Sequence, residues 1–414
     1  MSKKYGRKMK NKNIKIQVLS FLILLGFISL LSDFTHEGAR SIYGSYLKLI
    51  GVSAFVVSFT SGLGEFIGQA LRIVTGFIAD KTKKYWTMMI IGYLLNLLAI
   101  PFLMFVDASL WEVAIILILL ERVGKAIRAP AKSALTSFTT EQLGAGKAFA
   151  FEEAMDQLGA FLGPLFVFLV LSLNKGSELK GYQLAFGLLG IFAIFTLVVL
   201  VVSKIKYPNP DELETKSIQR GFKGNRAFIW YMIAISFIAF GFIDYPVLAF
   251  HLSKTSSIDV VYVPLLYSLA MGIDALAALF FGFLFDKKGV KSLQLSILIS
   301  MFFAPFFFLI NGIFGTILGI ILWGIGMGAQ ESILKAVVAR VVSKEKRATA
   351  YGIFNSIFGL SWFIGSMVVG TLYDYSLLYL VIFSVIMEII GIIFLFVFDK
   401  INRKDDFLNK KTML

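Results

Sequence analysis

Long apolar runs separated by short polar segments organise the chain. Windows able to cross about 30 Å of hydrocarbon fall roughly at residues 16–47, 53–79, 86–106, 112–138, 148–173 and 183–203. After a polar stretch they resume at roughly 227–251, 259–285, 292–311, 314–342, 349–373 and 376–398. The pattern predicts an all-α membrane protein with twelve spanning helices, six per half. The interruption carries Pro208, Pro210, Asp211, Glu212 and Glu214 with several cations and no apolar stripe, so it reads as a linker. The expected organisation is a tail at 1–15, a six-helix bundle at 16–203, a linker at 204–226, a second bundle at 227–398 and a tail at 399–414.

A short phrase occurs twice. GFIADK begins at Gly76 and contains Asp80 and Lys81; GFLFDK begins at Gly282 and contains Asp286 and Lys287. The two aspartates are 286 − 80 = 206 positions apart, about half of the 414 residues. Each copy closes an apolar run and opens a Lys-rich loop. Such a repeat implies two pseudo-symmetric bundles, the construction of secondary transporters.

Composition narrows the class. Hydrophobic residues make up 57% and charged residues 16%, against about 45–50% and about 25% in soluble proteins. Too few charges remain to cover the surfaces of two or three soluble domains. The formal charge of +14 sits in alternate loops: the N-terminal tail, DKTKK at 80–84, the linker, DKKGVK at 286–291, SKEKR at 343–347 and the C-terminal tail. The intervening loops are nearly neutral. The positive-inside rule then predicts a multi-pass protein of the cytoplasmic membrane with both termini in the cytoplasm. The basic start resembles the first region of a signal peptide, but the apolar stretch behind it is too long and lacks a small-residue cleavage site, so a retained first span is expected. Basic patches interleaved with aromatics are absent, which argues against nucleic acid as a partner. With no Cys, disulfides, thiolate metal sites and cysteine catalysis are excluded, and His36 and His251 alone cannot build a His cluster. No P-loop phosphate cradle is present. An enzyme is therefore not expected, nor a metal or cofactor; a monomer in the bilayer, driven by a proton gradient, is.

At the level of motifs the whole chain resembles the major facilitator superfamily. Its members carry G-x-x-x-D-(R/K)-x-G-(R/K)-(R/K) between helices 2 and 3 and a weaker copy between helices 8 and 9. Here the first copy is GFIADKTKK, with Lys84 among its cations and Lys83 where the second glycine usually stands. The second copy, GFLFDKKGVK, keeps that glycine as Gly289. Gly159-Ala-Phe-Leu-Gly163-Pro164 in the fifth span is similar to the core of the antiporter motif G-x-x-x-G-P. The fourth span and the stretch from Glu331 to Asn355 resemble a branch of prokaryotic permeases and drug exporters. The resemblance implies two six-helix bundles and alternating access. The doubled loop is expected to act as a gate: Asp80 can meet a helix N-terminus and nearby cations, or can remain a solvated carboxylate. Gly159 and Gly163 can serve antiport or simple close packing of helices.

A charge inside the bilayer costs several kcal/mol unless paired or hydrated, so each is a candidate. Asp33, Glu37 and Arg40 share one face of the first span, and Glu37 and Arg40 can pair with one another. Asp244 lies at a related depth in the seventh span. The second span repeats the spacing with Glu65, Gln69 and Arg72, read as a proton site or as a Glu65–Arg72 clamp; the eighth offers Asp274. Asp33, Glu65, Asp244 and Asp274 are the candidate proton carriers. In the fourth span Glu121, Lys125, Arg128 and Lys132 form a stripe, with Arg122 to one side near the midplane. The fifth span brings Glu152, Glu153 and Asp156 to the level of Arg128 and Lys132, where a charge network is expected. Arg122 can hold an anionic substrate or tune a carboxylate. Gln330, beside a possible Glu331–Lys335 pair, and Tyr43 and Tyr245 complete the cavity candidates; Glu388, alone in the last span, receives no role.

The expected function is proton-coupled export of small organic or amphiphilic compounds. Proton-coupled uptake of an organic anion is the alternative, and a sensor that has lost transport a more remote one.

Overall fold

A computed structural model describes residues 2–139, 145–209, 226–255, 258–342 and 347–412. Among the described residues the chain is helical throughout, with no strand. The first half supplies α1 (Ser2–Leu49), α2 (Ala54–Thr82), α3 (Tyr85–Phe102), α4 (Trp111–Ser137), α5 (Ala145–Leu173) and α6 (Glu178–Lys206). The second supplies α7 (Arg226–Gly241), α8 (Tyr245–Thr255), α9 (Val263–Lys288), α10 (Lys291–Ser300), α11 (Phe303–Leu309), α12 (Ile313–Val341), α13 (Arg347–Tyr375) and α14 (Leu377–Thr412).

Among the described residues, eleven helical segments are long and apolar enough to cross a membrane; α7 with α8, and α10 with α11, each form one segment. The predicted twelfth span is α4. Its 27 residues suffice in length, and its charges keep it from qualifying by composition.

The seventh span departs from the single helix expected over 227–251. It stops at Gly241 and restarts at Tyr245. Pro246 has no N–H to continue the ladder and disfavours helical backbone at the residue before it. The freed carbonyls find side-chain donors: Ser384 Oγ reaches Gly241 O at 2.7 Å and Trp323 Nε1 reaches Ile243 O at 2.8 Å. Asp244 restarts the helix, its carboxylate accepting the Tyr245 N–H at 2.8 Å.

Compactness divides the chain into two units. Unit 1 comprises residues 1–39, 71–106 and 116–217; unit 2 comprises 40–70, 107–115 and 218–414. In unit 1, Phe21, Leu25 and Ile28 of α1 pack with Met89, Tyr93 and Leu97 of α3, and Leu135 of α4 and Leu200 of α6 complete the core. Gly159 and Gly163 of α5 lie against α1 so closely that a Cβ on either would collide with the carbonyl of Leu30 or Phe34. Lipid tails give helices no hydrophobic reason to associate, and such backbone proximity supplies the packing contact instead.

In unit 2, Tyr231, Ile235 and Ile238 of α7 form a core with Phe281 of α9, Ile297 of α10, Ile333 of α12 and Leu395 of α14. Residues 40–70, although from the first half of the sequence, pack here. Gly44 meets the backbone of Pro246, Ser58 Oγ donates to Ser366 O at 2.5 Å, and Phe59 and Phe66 both pack on Phe363. On α9, Leu276, Leu279, Phe280 and Phe283 are more than 60% exposed, an apolar face suited to lipid rather than water.

Candidate functional site

The polar stripe of α4 in unit 1 folds against carboxylates from α1 and α5. Arg128 is buried beneath α3: its Nε donates to Asn96 Oδ1 at 3.2 Å, Nη1 to Tyr93 Oη at 3.3 Å and Nη2 to Asp33 Oδ1 at 3.4 Å. One turn on, Lys132 Nζ bonds both oxygens of Asp156, at 3.1 and 2.9 Å, and lies 2.9 Å from Glu152 Oε1. Of the residues expected to pair between the fourth and fifth spans, Lys132, Glu152 and Asp156 come together, whereas Arg128 pairs with Asp33 of α1. Glu153 points outward, exposed, and accepts from Gln157 of its own helix at 3.5 Å.

Above this layer lies a buried Glu121, accepting from the Asn96 amide and 2.8 Å from His36 Nδ1. The imidazole also lies 3.4 Å from Glu37 Oε1 through Nε2. Lys125 Nζ is 3.9 Å from Glu37 Oε1, and Arg122 Nε is 3.5 Å from Glu121 Oε2. Each of the four α4 cations thus has a carboxylate within 4 Å. Pairing of this kind lets a charged helix exist inside a membrane.

The second arrangement belongs to unit 2 and is centred on the break after α7. Asp244, 2% exposed, receives Arg40 Nη2 at 2.7 Å through Oδ1 and the Ser61 hydroxyl through Oδ2. With the Tyr245 N–H, three donors converge on one carboxylate. Glu65 Oε1 stands 3.9 Å from Arg40 Nη2. Residues of α1, α2 and the α7–α8 junction therefore meet around one buried carboxylate.

The remaining candidates scatter. Tyr245 is a packing residue: its hydroxyl donates to Val263 O at 2.6 Å and its ring lies 4.1 Å from that of Tyr267. Gln69 packs beside Gly359 of α13. Arg72 is half-buried on α2, while Tyr43, Asp274 and Gln330 are buried on α1, α9 and α12. In the doubled loop Asp80, Lys81 and Lys84 are exposed, as are Asp286 and Lys287, and Gly76 faces Pro130. A cavity of about 220 Å³ is lined by Asp286, Lys287, Gly289, Val337 and Asp399, among others; Gly282, one turn before Asp286, is half-buried. Lys83 adopts φ +55° and Gly289 φ +60°. These positions are 289 − 83 = 206 apart, the same offset as the aspartates, so a positive φ recurs there even where the glycine does not.

Sequence reasoning missed His36, Asn96 and Ser61 as site residues. Asn96 had a readable signal, a lone amide in the apolar run YLLNLLAIP. A single histidine such as His36 forms no cluster that sequence could reveal, and nothing in the sequence distinguishes Ser61 from the other serines.

A model of the Major Facilitator Superfamily matches residues 16–366 and 245–413. An uncharacterized protein of Mycobacterium tuberculosis is 34% identical over 383 residues, covering 91% of this chain and 92% of its own. An uncharacterized MFS-type transporter of Methanocaldococcus jannaschii is 28% identical over 400 residues, covering 94% and 97%. Among solved structures, the nucleoside transporter NupG aligns with a TM-score of 0.71 at 15% identity over 92% of this chain and 98% of its own. A bacterial homolog of the human lysosomal transporter Spinster, in an inward-facing and unoccupied conformation, gives 0.72 at 14% over 94% and 98%. At those identities the likeness concerns the fold.

Proposed function

The chain belongs to the major facilitator superfamily and is a secondary transporter, and on that premise we propose that it exchanges protons for small organic or amphiphilic compounds, exporting them across the cytoplasmic membrane. The observation that carries the reading is the Arg40–Asp244 pair at the break between α7 and α8. A proton on Asp244 removes one charge of that pair, and what holds residues 40–70 to the junction is then packing and neutral hydrogen bonds. Proton arrival can therefore bias this contact, one of the requirements for coupling. The Asp33–Arg128 pair in unit 1 is a further carboxylate–cation contact that a proton would discharge.

Uptake of an organic anion receives less support. It calls for a cation on α4 available to the substrate, and Arg122, Lys125, Arg128 and Lys132 each already have a carboxylate within 4 Å.

Everted membrane vesicles holding a preset inward proton gradient test the proposal. A panel of amphiphilic cations and neutral compounds, first ranked by thermal shift of the purified protein, is added in turn. Collapse of the gradient on addition of a ranked compound, lost in Asp244→Asn, is expected. A gradient left intact by compounds that bind would refute antiport, and its collapse only with organic anions would favour the alternative.

A further inference from the structure

Among the described residues, Glu388 stands apart from these clusters. Glu388 is 1% exposed in the middle of α14, and neither of its carboxyl oxygens has a hydrogen-bond partner. It occupies the face that α14 turns to α7. One turn before it, Ser384 caps the Gly241 carbonyl at the helix break; one turn after it, Gly391 lies against Ala234 and Ile238. Gly241 itself abuts Met387 and the backbone of Glu388. The carboxyl is therefore built in beside the place where α7 ends.

Among the described side chains, no neighbouring element sets a counter-charge beside it. α7 carries Arg226 and Tyr231, whose hydroxyl is engaged with Leu334 O. α10 carries Lys291 at its far end, and α11 carries no ionisable residue. On α13, Tyr351 bonds Lys335 O and Tyr373 bonds His251, with Asp374 and Tyr375 at the helix terminus. On α14 itself Asp399 and Lys400 lie three turns away. A carboxylate anion so placed would bear the full cost of an unpaired buried charge. The neutral acid avoids it.

We propose that Glu388 is a proton-binding site of the transporter, occupied in the conformation seen here and emptied when the α7–α8 junction rearranges. The geometry explains why the two events are linked. Ionised Glu388 needs donors or water, and the helix break that begins at Gly241, against the backbone of Glu388, is where water can enter. Opening the junction hydrates the carboxyl and releases the proton; closing it requires the proton back. The bound cation is a proton and not sodium, because neither carboxyl oxygen has a hydrogen-bonding partner, so no set of oxygens stands around it to replace the water of a hard cation. The role as a coupling site rests on the proton-exchange reading above; occupancy by a proton does not.

Infrared difference spectroscopy of the full chain in proteoliposomes tests the binding directly, the proton being the probe. Wild type should show the C=O stretch of a dry, unbonded carboxylic acid that disappears as pH is raised. Glu388→Gln should lose that band entirely while Asp274→Asn retains it, and thermal unfolding checks that both variants are folded. Wild type lacking the band at every pH, or Glu388→Gln keeping it, overturns the assignment, and the wild-type measurement decides even if the variant does not fold. In everted vesicles, a ranked compound should still bind Glu388→Gln but collapse the proton gradient at least tenfold more slowly. Collapse at the wild-type rate overturns the coupling role; a wild type that never collapses the gradient overturns proton exchange itself and leaves the infrared result standing. A sodium-driven flux abolished by Glu388→Gln would overturn the choice of ion.

Discussion

Removing either partner of the Arg40–Asp244 pair should destabilise the protein, and the two losses should respond differently to pH. Both side chains are buried, at 5% and 2% exposure. Truncating one partner of a buried pair costs about 3–5 kcal/mol because the other is left uncompensated. In Arg40→Met the survivor is an aspartate that can escape by taking up a proton. For an ordinary aspartate this costs about 1.4 kcal/mol per pH unit above about 3.9, hence about 4 kcal/mol at pH 7 and about 3 kcal/mol at pH 6. That cost caps the penalty, so the deficit of Arg40→Met should shrink as pH falls. In Asp244→Leu the survivor is a guanidinium that stays charged throughout this range, with Glu65 at 3.9 Å as partial compensation. Its deficit should stay flat between about pH 6 and about pH 8 at about 3 kcal/mol. The double variant holds no unpaired charge but leaves the Ser61 hydroxyl and the Tyr245 N–H without their acceptor, so it should cost about 2 kcal/mol and fall short of the sum of the singles by about 5 kcal/mol at pH 7. Unfolding free energies in mixed micelles, measured for the four proteins at two pH values, provide the cycle. A coupling energy below about 0.5 kcal/mol, or an Arg40→Met deficit that does not fall with pH, would refute the claim that this pair is the buried electrostatic contact of unit 2.

Three further outcomes are expected. Lys83→Gly should stabilise the protein by about 1 kcal/mol, since Lys83 holds φ +55°, a left-handed conformation that costs a side-chain-bearing residue about that much; an unchanged or lower unfolding temperature would contradict this. Gly163→Val should prevent folding or cost more than about 4 kcal/mol, because its Cβ meets the Phe34 carbonyl on α1, and survival of the fold as judged by size-exclusion profile would show that α1 and α5 can separate. Trp323→Phe should cost about 1–2 kcal/mol by leaving the Ile243 carbonyl unsatisfied beside the helix break, with Trp323→His, able to donate again, recovering part of it in the same unfolding assay.

The fold was largely legible because it rests on length, hydropathy and repetition, which are local or one-dimensional signals. Twelve apolar runs, the charge alternation of the loops and the 206-residue repeat do not depend on knowing any contact. The break in the seventh span was harder to read. Pro246 marks it, yet a proline in an apolar run is compatible with a kink as well as a full interruption, and the decision depends on Ser384 and Trp323, 143 and 80 residues away, supplying donors for the freed carbonyls. The grouping of residues 40–70 with the second half was equally invisible, since their hydropathy matches the rest of the first two spans.

The site was legible as a set of obligations rather than as a set of contacts. A charge placed in hydrocarbon must be paired, hydrated or neutralised, so every one of them could be named in advance; which remedy each uses could not. Arg128 and Asp33 find each other across 95 residues, and Arg40 and Asp244 across 204, separations over which no helical spacing rule operates. The i, i+4 and i+7 pattern on α1 correctly puts Asp33, Glu37 and Arg40 on one helix, but the compact units divide between Ala39 and Arg40, so ions one turn apart serve different clusters. Glu388 follows from the same rule. It is buried with no hydrogen-bond partner on either oxygen, so the residue that sequence leaves without a role is the one for which a bound proton is the least costly remedy.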